Sequence, residues 1–162
     1  MQANLFKIKQ VELSKLDEAF ELIWAVFQKF VAPDYSEEGI STFYEQYITN
    51  EKYREKFKSG KEIMYGAYDE DKLIGVLSIS QNNTVSCVFV DGEYHHMGVG
   101  KKLFSFIISQ LRHKGIKNIK LNASPYAEEF YHFLGFQDIG VKSSYHGIVY
   151  TPMELNLNAI IQ

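Results

Sequence analysis

The chain has 162 residues, 46% of them hydrophobic, with 12 Phe, 11 Tyr and a formal net charge of −3. This is enough apolar material for one substantial core and too little length for two ordinary domains, so one domain spanning residues 1–162 is expected. No block of Lys or Arg is present to grip a nucleic-acid backbone, and no apolar run is long enough for a membrane span, so neither partner is expected.

The first residues, MQANLFKIKQ, lack the apolar run of a signal peptide, which points to a cytoplasmic location. A short strand is expected over Leu5 to Lys9. Ser14 then stands as a helix N-cap, with Asp17 in the first turn. Leu16, Phe20, Ile23, Phe27 and Phe30 recur at spacings of four and three, which predicts an amphipathic helix closed by Pro33. Ser36 offers a second cap. Ile40, Phe43, Tyr44, Tyr47 and Ile48 repeat the stripe to about Asn50, and these aromatics read mainly as core. Residues 50 to 60 alternate charge signs and read as a solvated turn of helix or a loop.

Glu62 to Tyr68 and Lys72 to Ser80 are β-rich runs joined by Asp69-Glu70-Asp71, and Gln81-Asn82-Asn83 turns the chain into a third strand that ends at Val90. Cys87, the single cysteine, sits within that strand as an apolar filler and has no disulfide partner. Beyond Gly100, the residues Leu103, Phe106, Ile107 and Leu111 predict a helix ending near Lys114, with Gly115 as its left-handed cap. A strand follows at 117 to 122. Ser124 and Pro125 then open a helix carrying Ala127, Phe130, Tyr131 and Leu134, stopped by Gly135. Val141 to Ser144 and Ile148 to Leu155 close the chain as a hairpin turning at Tyr145-His146-Gly147, with Pro152 expected at an edge or bulge.

The chemistry concentrates where the strand ending at Val90 meets the helix beginning near Gly100. The first N–H groups of a helix lack intrahelical acceptors, and glycines let a bulky anion approach the backbone, so this junction suits a pyrophosphate. Gly98 and Gly100 equally suit a plain tight turn, and neither the GxxxxGK[ST] loop nor the three-glycine dinucleotide fingerprint is present. The adjacent His95 and His96 have no Cys, Asp or Glu at ligand spacing, so no metal is expected.

Together, HHMGVG at 95–100 and ASPYAEEFYHFLGF at 123–136 resemble the Gcn5-related N-acetyltransferase (GNAT) superfamily, whose motifs are [Q/R]xxGx[G/A] and FYxxxGF. The resemblance implies an α/β fold with a mixed, mostly antiparallel central sheet of about six or seven strands flanked by helices, in the order β-α-α-β-β-β-α-β-α-β-β. It implies acetyl-CoA as acyl donor and a small-molecule or peptide amine as acceptor. Its pyrophosphate loop maps to His95, His96, Met97, Gly98, Val99, Gly100 and Lys101. His95 stands where Gln or Arg is usual and His96 where glycine is frequent, with Lys101 and Lys102 as compensating cations. The strand before the loop, matched by Cys87, Val88, Phe89 and Val90, is expected to splay and hold the pantetheine arm, with the N–H of Phe89 or Val90 polarising the acetyl carbonyl. Asn122, Ser124 and Ala127 are expected along that arm, and Tyr131 as the acid that protonates the departing thiolate.

No general base transfers by motif. Asp34, Glu37 and Glu38 lie near the acceptor loop as candidates to act through water, and the acceptor itself is expected to be shaped by residues 30–40, 60–65 and 143–150. Direct transfer in a ternary complex is the expected route. The alternative classes are a non-catalytic acyl-CoA-binding regulatory module and a nucleotide-phosphate binder. The closing hairpin is also compatible with pairing in a homodimer.

Overall fold

The computed structural model describes residues 5–159, so the first four residues of the N-terminal stretch lie outside the described residues. Eight strands form the sheet: β1 (Lys7–Gln10), β2 (Glu62–Asp69), β3 (Lys72–Ser80), β4 (Thr84–Val90), β5 (Asn118–Ala123), β6 (Gln137–Asp138), β7 (Ser143–Tyr145) and β8 (Ile148–Asn156). Their order is β1-β2-β3-β4-β5-β8-β6, with β7 also paired to β8. Every pairing is antiparallel except β4 with β5. The sheet is thus one strand wider than expected from the sequence. The added strand, β6, is two residues long and too short to carry a pattern.

The first helix, α1 (Leu16–Val26), is preceded by a 3-10 turn over Leu13–Lys15, so Ser14 lies inside that turn and caps nothing. The apolar stripe is buried through Phe27, and Phe30 is half-buried. Beyond Val26 the chain widens into a π-helical turn, Phe27–Val31, and tightens into a 3-10 turn, Ala32–Asp34, which contains Pro33. Ser36 does cap α2 (Glu37–Phe43), accepting from the Gly39 N–H at 3.1 Å, and a second π-helical turn follows over Tyr44–Ile48.

Residues 51–59 are a true helix, α3 (Glu51–Ser59), where the sequence suggested a turn or loop. Asn50 caps it by accepting from the Tyr53 N–H at 2.9 Å. Tyr53 and Phe57, four residues apart, bury their rings edge-on against Phe20. That pair is what the alternating charges concealed.

Helix α4 (Val99–His113) buries Val99, Leu103, Phe104, Ile107 and Ile108, while Phe106 and Leu111 from the expected stripe are only half-buried. Helix α5 (Glu128–Leu134) follows a 3-10 turn over Pro125–Ala127. Phe104 stands at the join of the two helices, edge-on to Tyr131 and Phe136 at 5.9 and 5.7 Å between ring centroids. Burying an aromatic or aliphatic side chain of this size contributes about 1.5–3 kcal/mol, so this cluster fixes α5 against α4. A second core, between α1, α2, α3 and the other sheet face, gathers Phe20, Ile23, Phe27, Phe43, Met64 and Cys87.

Pro152 is not at an edge. It pairs with Asn122 in β8, an interior strand. Its carbonyl accepts from the Ile139 N–H at 2.9 Å, and a strand residue turns its N and its carbonyl to the same side. The ring nitrogen therefore faces the side where β8 changes partner from β7 to β6, and no bond to β5 is lost.

Candidate active site

Strands β4 and β5 are paired only at Thr84↔Lys120 and Val85↔Leu121. The β3–β4 register skips Ser86, since Ile79 faces Val85 and Ser78 faces Cys87. Such a bulge bends and twists its strand, and past it β4 leaves β5. A cavity of about 820 Å³ fills the wedge, lined by β4 from Thr84 to Val90 and by Asn122 and Ser124 beyond it. Because the Asp91 N–H donates to the Ile74 carbonyl on β3, alternation turns the backbone groups of Val90 and Val88 to the open side. The Phe89 N–H faces β3.

At the far end of the wedge, α4 begins without a side-chain cap. Gly98 is its N-cap with φ +80°, and the first helical bond is from the Lys102 N–H to the Gly98 carbonyl at 2.9 Å. The N–H groups of Val99, Gly100 and Lys101 therefore have no intrahelical acceptor. His96 also lies in the left-handed region, at φ +65°. This is why glycine suits the position; histidine holds it at a cost of about 1–2 kcal/mol. Gly100 is explained by packing as well, since a Cβ there would lie 3.0 Å from Phe130 Cζ.

Of the residues expected to hold acetyl-CoA or to protonate its thiolate, all but Met97 and Lys102 line this one cavity; Met97 is exposed on the loop. The His95 ring, 4.6 Å from that of Phe30, is bonded at 2.7 Å from Nε2 to the Val90 carbonyl, so Nε2 donates and the loop is tied to the end of β4. Lys102 is not a compensating cation, because its ammonium donates to the Phe6 carbonyl; Lys101 does line the cavity. Ser124 has the extended backbone of an N-cap but makes no capping bond. Asp34, Glu37 and Glu38 are exposed outside the lining, and residues 60–65 contribute nothing to it.

Tyr131 is buried, with its ring packed against Phe104, Phe130 and Phe136. Its hydroxyl has no hydrogen bond among the described residues and opens on the cavity. Burial raises its pKa well above that of an ordinary phenol, with the Cys87 sulfur adding to the shift. Burial likewise pushes the Cys87 thiol up to about 12, and its sulfur lies 3.7 Å from the Tyr53 hydroxyl. A thiol held in its neutral form in this way is a poor nucleophile. Among the described residues no group of His, Cys, Asp and Glu is gathered to hold a metal, and no helix is long and apolar enough to cross a membrane.

The family described as Acetyltransferase (GNAT) domain matches residues 31–157. The chain belongs to the GNAT acetyltransferase family. GCN5-related N-acetyltransferase 2, chloroplastic, of Arabidopsis thaliana is 38% identical over 72 residues, which span 42% of this chain and 28% of that protein. The uncharacterized N-acetyltransferase ycf52 of Gracilaria tenuistipitata var. liui is 40% identical over 57 residues, or 35% of this chain and 31% of that one. The similarity thus spans about a third of the length of these curated relatives. Among solved structures, the PaiA N-acetyltransferase of Thermoplasma acidophilum in complex with coenzyme A superposes with a TM-score of 0.77 at 22% identity, over 93% of this chain and 98% of that one. A GNAT acetyltransferase from Staphylococcus aureus Mu50 superposes at 0.69 with 20% identity, over 94% and 99%. These two likenesses establish the GNAT fold for the chain.

Of the segments expected to shape the acceptor, 30–40 and 143–150 do reach the wall of the cavity opposite α4, while Phe27, Gln46 and Tyr47 in the same wall lie outside them. Phe27 and Val31 come from the first π-helical turn, Gln46 and Tyr47 from the second, and Tyr145, Ile148 and Tyr150 from the closing hairpin. Helix α2 docks on that hairpin so closely that a Cβ on Gly39 would lie 2.2 Å from the Gly147 carbonyl oxygen. The Thr42 hydroxyl donates to the His146 carbonyl at 2.7 Å, and the Tyr35 hydroxyl to the Val149 carbonyl at 3.1 Å.

Proposed function

We propose that this GNAT domain transfers an acetyl group from acetyl-CoA directly to the amine of an acceptor in a ternary complex. The carrying observation is that three features open on one cavity: the free N–H groups of α4, the unpaired side of β4 and the unbonded Tyr131 hydroxyl. Acetyl-CoA supplies the thioester. The α4 N-terminus, with its partial positive charge and unpartnered N–H groups, receives the two phosphates. The open side of β4 offers the N–H and carbonyl of Val88 to the pantetheine amides as a neighbouring strand would, the Val90 carbonyl being taken by His95. The Val90 N–H is placed to stabilise negative charge developing on the thioester oxygen.

Tyr131 donates its hydroxyl proton toward the departing sulfur. A phenol raised above its ordinary pKa is a weak acid, yet the environment that raises it also lifts the Cys87 thiol to about 12, so a thiolate leaving into the same cavity is a correspondingly stronger base.

The second reading, an acyl-CoA-binding module without turnover, has one observation in its favour: among the described residues no carboxylate lines the cavity to take the acceptor's proton. Calorimetric titration with coenzyme A tests both readings, and thiol release from acetyl-CoA across a panel of amines separates them. Absence of coenzyme A uptake at millimolar concentration overturns both. Uptake with no thiol release on any amine favours the module.

A further inference from the structure

The half of the cavity that faces away from the α4 loop is built of rings and carries no formal charge. Phe27 stacks on Phe43 with centroids 3.9 Å apart and planes 3° from parallel, and Phe43 meets Tyr47 at 5.1 Å and Phe89 at 5.9 Å. Tyr150 faces the same space from β8. Apart from Tyr and Cys side chains, the ionisable groups lining the cavity among the described residues are His95 and His96 on the loop leading into α4 and Lys101 in its first turn. The buried Glu62 is not in the lining; its carboxylate accepts from Tyr53 at 3.3 Å within the second core.

Local geometry makes this wall deliberate. Each π-helical turn inserts one extra residue into the helical repeat, which rotates the residues after it and re-aims them; such turns concentrate at functional sites. Here the first supplies Phe27 and Val31, and the second supplies Gln46 and Tyr47. The Gln46 amide and the Tyr47 hydroxyl have no hydrogen-bond partners among the described residues, so two uncharged polar groups remain for a ligand. An apolar, aromatic wall with a few neutral polar groups suits an aromatic body and offers an ammonium only ring faces and two neutral oxygens, with no carboxylate to pair its charge.

We infer that the acceptor is a monoamine carried on an aromatic body, seated between the Phe27–Phe43 stack and Tyr150, and that polyamines and lysine side chains are discriminated against. This assignment rests on the transferase reading for its chemistry, while the binding half of it does not. Burial of a phenyl ring is worth on the order of 10- to 100-fold in affinity. Each distal ammonium of a polyamine would have to be held in the same cavity without a carboxylate partner.

The test compares 2-phenylethylamine, spermidine and Nα-acetyl-lysine, by kcat/KM from thiol release and by calorimetric binding to the protein with and without coenzyme A. The expected result is at least tenfold preference for 2-phenylethylamine in both measurements. Gln46 is exposed at the cavity rim, so Gln46→Glu leaves the core untouched and brings in the missing carboxylate. It is expected to shift the ratio of spermidine to 2-phenylethylamine upward by about tenfold. Spermidine or Nα-acetyl-lysine preferred by the unaltered protein, no uptake of 2-phenylethylamine, or an unchanged ratio in Gln46→Glu overturns the assignment. Uptake of 2-phenylethylamine by a protein that takes up no coenzyme A leaves the aromatic site standing and overturns the transferase reading alone.

Discussion

Replacing Tyr131 by Phe removes one oxygen atom that the protein itself does not use. The ring contacts with Phe104, Phe130 and Phe136 remain, and the hydroxyl has no bond among the described residues whose loss would cost stability. Unfolding free energy should therefore change by less than about 0.5 kcal/mol, against the ~1 kcal/mol expected for deleting a made hydrogen bond. Catalysis should respond quite differently. A positioned acid contributes about 10²- to 10⁴-fold, equivalent to about 3–5 kcal/mol of barrier. Because the interaction develops only as the sulfur acquires charge, kcat should fall by that factor with little change in coenzyme A affinity.

The assay is thiol release from acetyl-CoA at saturating amine, paired with calorimetry on coenzyme A and a thermal melt of each protein. Since burial raises Tyr131 above the ordinary 10.0, the hydroxyl stays protonated through pH 10, and no loss of rate from its ionisation should appear below that value. A variant with kcat within threefold of the parent, at unchanged stability, would refute the acid role.

Three further predictions follow from single residues. His96→Gly relieves the φ of +65° and should stabilise the fold by about 1 kcal/mol, seen as a rise of about 2–4 °C in melting temperature, with coenzyme A affinity retained because backbone N–H groups carry it. A tenfold loss of affinity would instead make the imidazole a ligand. Cys87, with its thiol pushed to about 12, should resist iodoacetamide at pH 8 in the native protein and react only on unfolding; an acetylated Cys87 trapped during turnover would overturn direct transfer. Burial raises the Glu62 carboxyl above its ordinary 4.5, so the native state keeps a proton that the unfolded chain has released. Its stabilising contribution is fully present below pH 4.5 and is lost as pH rises through the native value. The difference in unfolding free energy between the parent and Glu62→Gln should therefore change across that window, and parallel curves would refute the shift.

Local signals read directly from the chain located much of this protein. Ser36, Asn83, Gly115 and the Tyr145-His146-Gly147 turn act through neighbours a few residues away, so their caps and turns are where the sequence places them. The cavity-lining loop into α4 and Tyr131 were singled out because two short motifs carry them. The α3 helix was obscured because charges outnumber its two buried rings, and β6 because two residues cannot show alternation.

The amino-acid pattern carried the order of elements apart from α3 and β6, and the glycine-bounded start of α4. Those depend on contacts within a few residues, which periodicity and caps record. Tertiary packing set the rest: the position at which β4, expected to splay, leaves β5, the use of Lys102 on the Phe6 carbonyl, and the meeting of rings from two π-helical turns and a distant hairpin in one uncharged wall. Those arrangements join segments more than a hundred positions apart, as where Tyr35 meets Val149. No local pattern encodes them, because packing across the sheet, and not the propensity of any segment, decides which side chains meet.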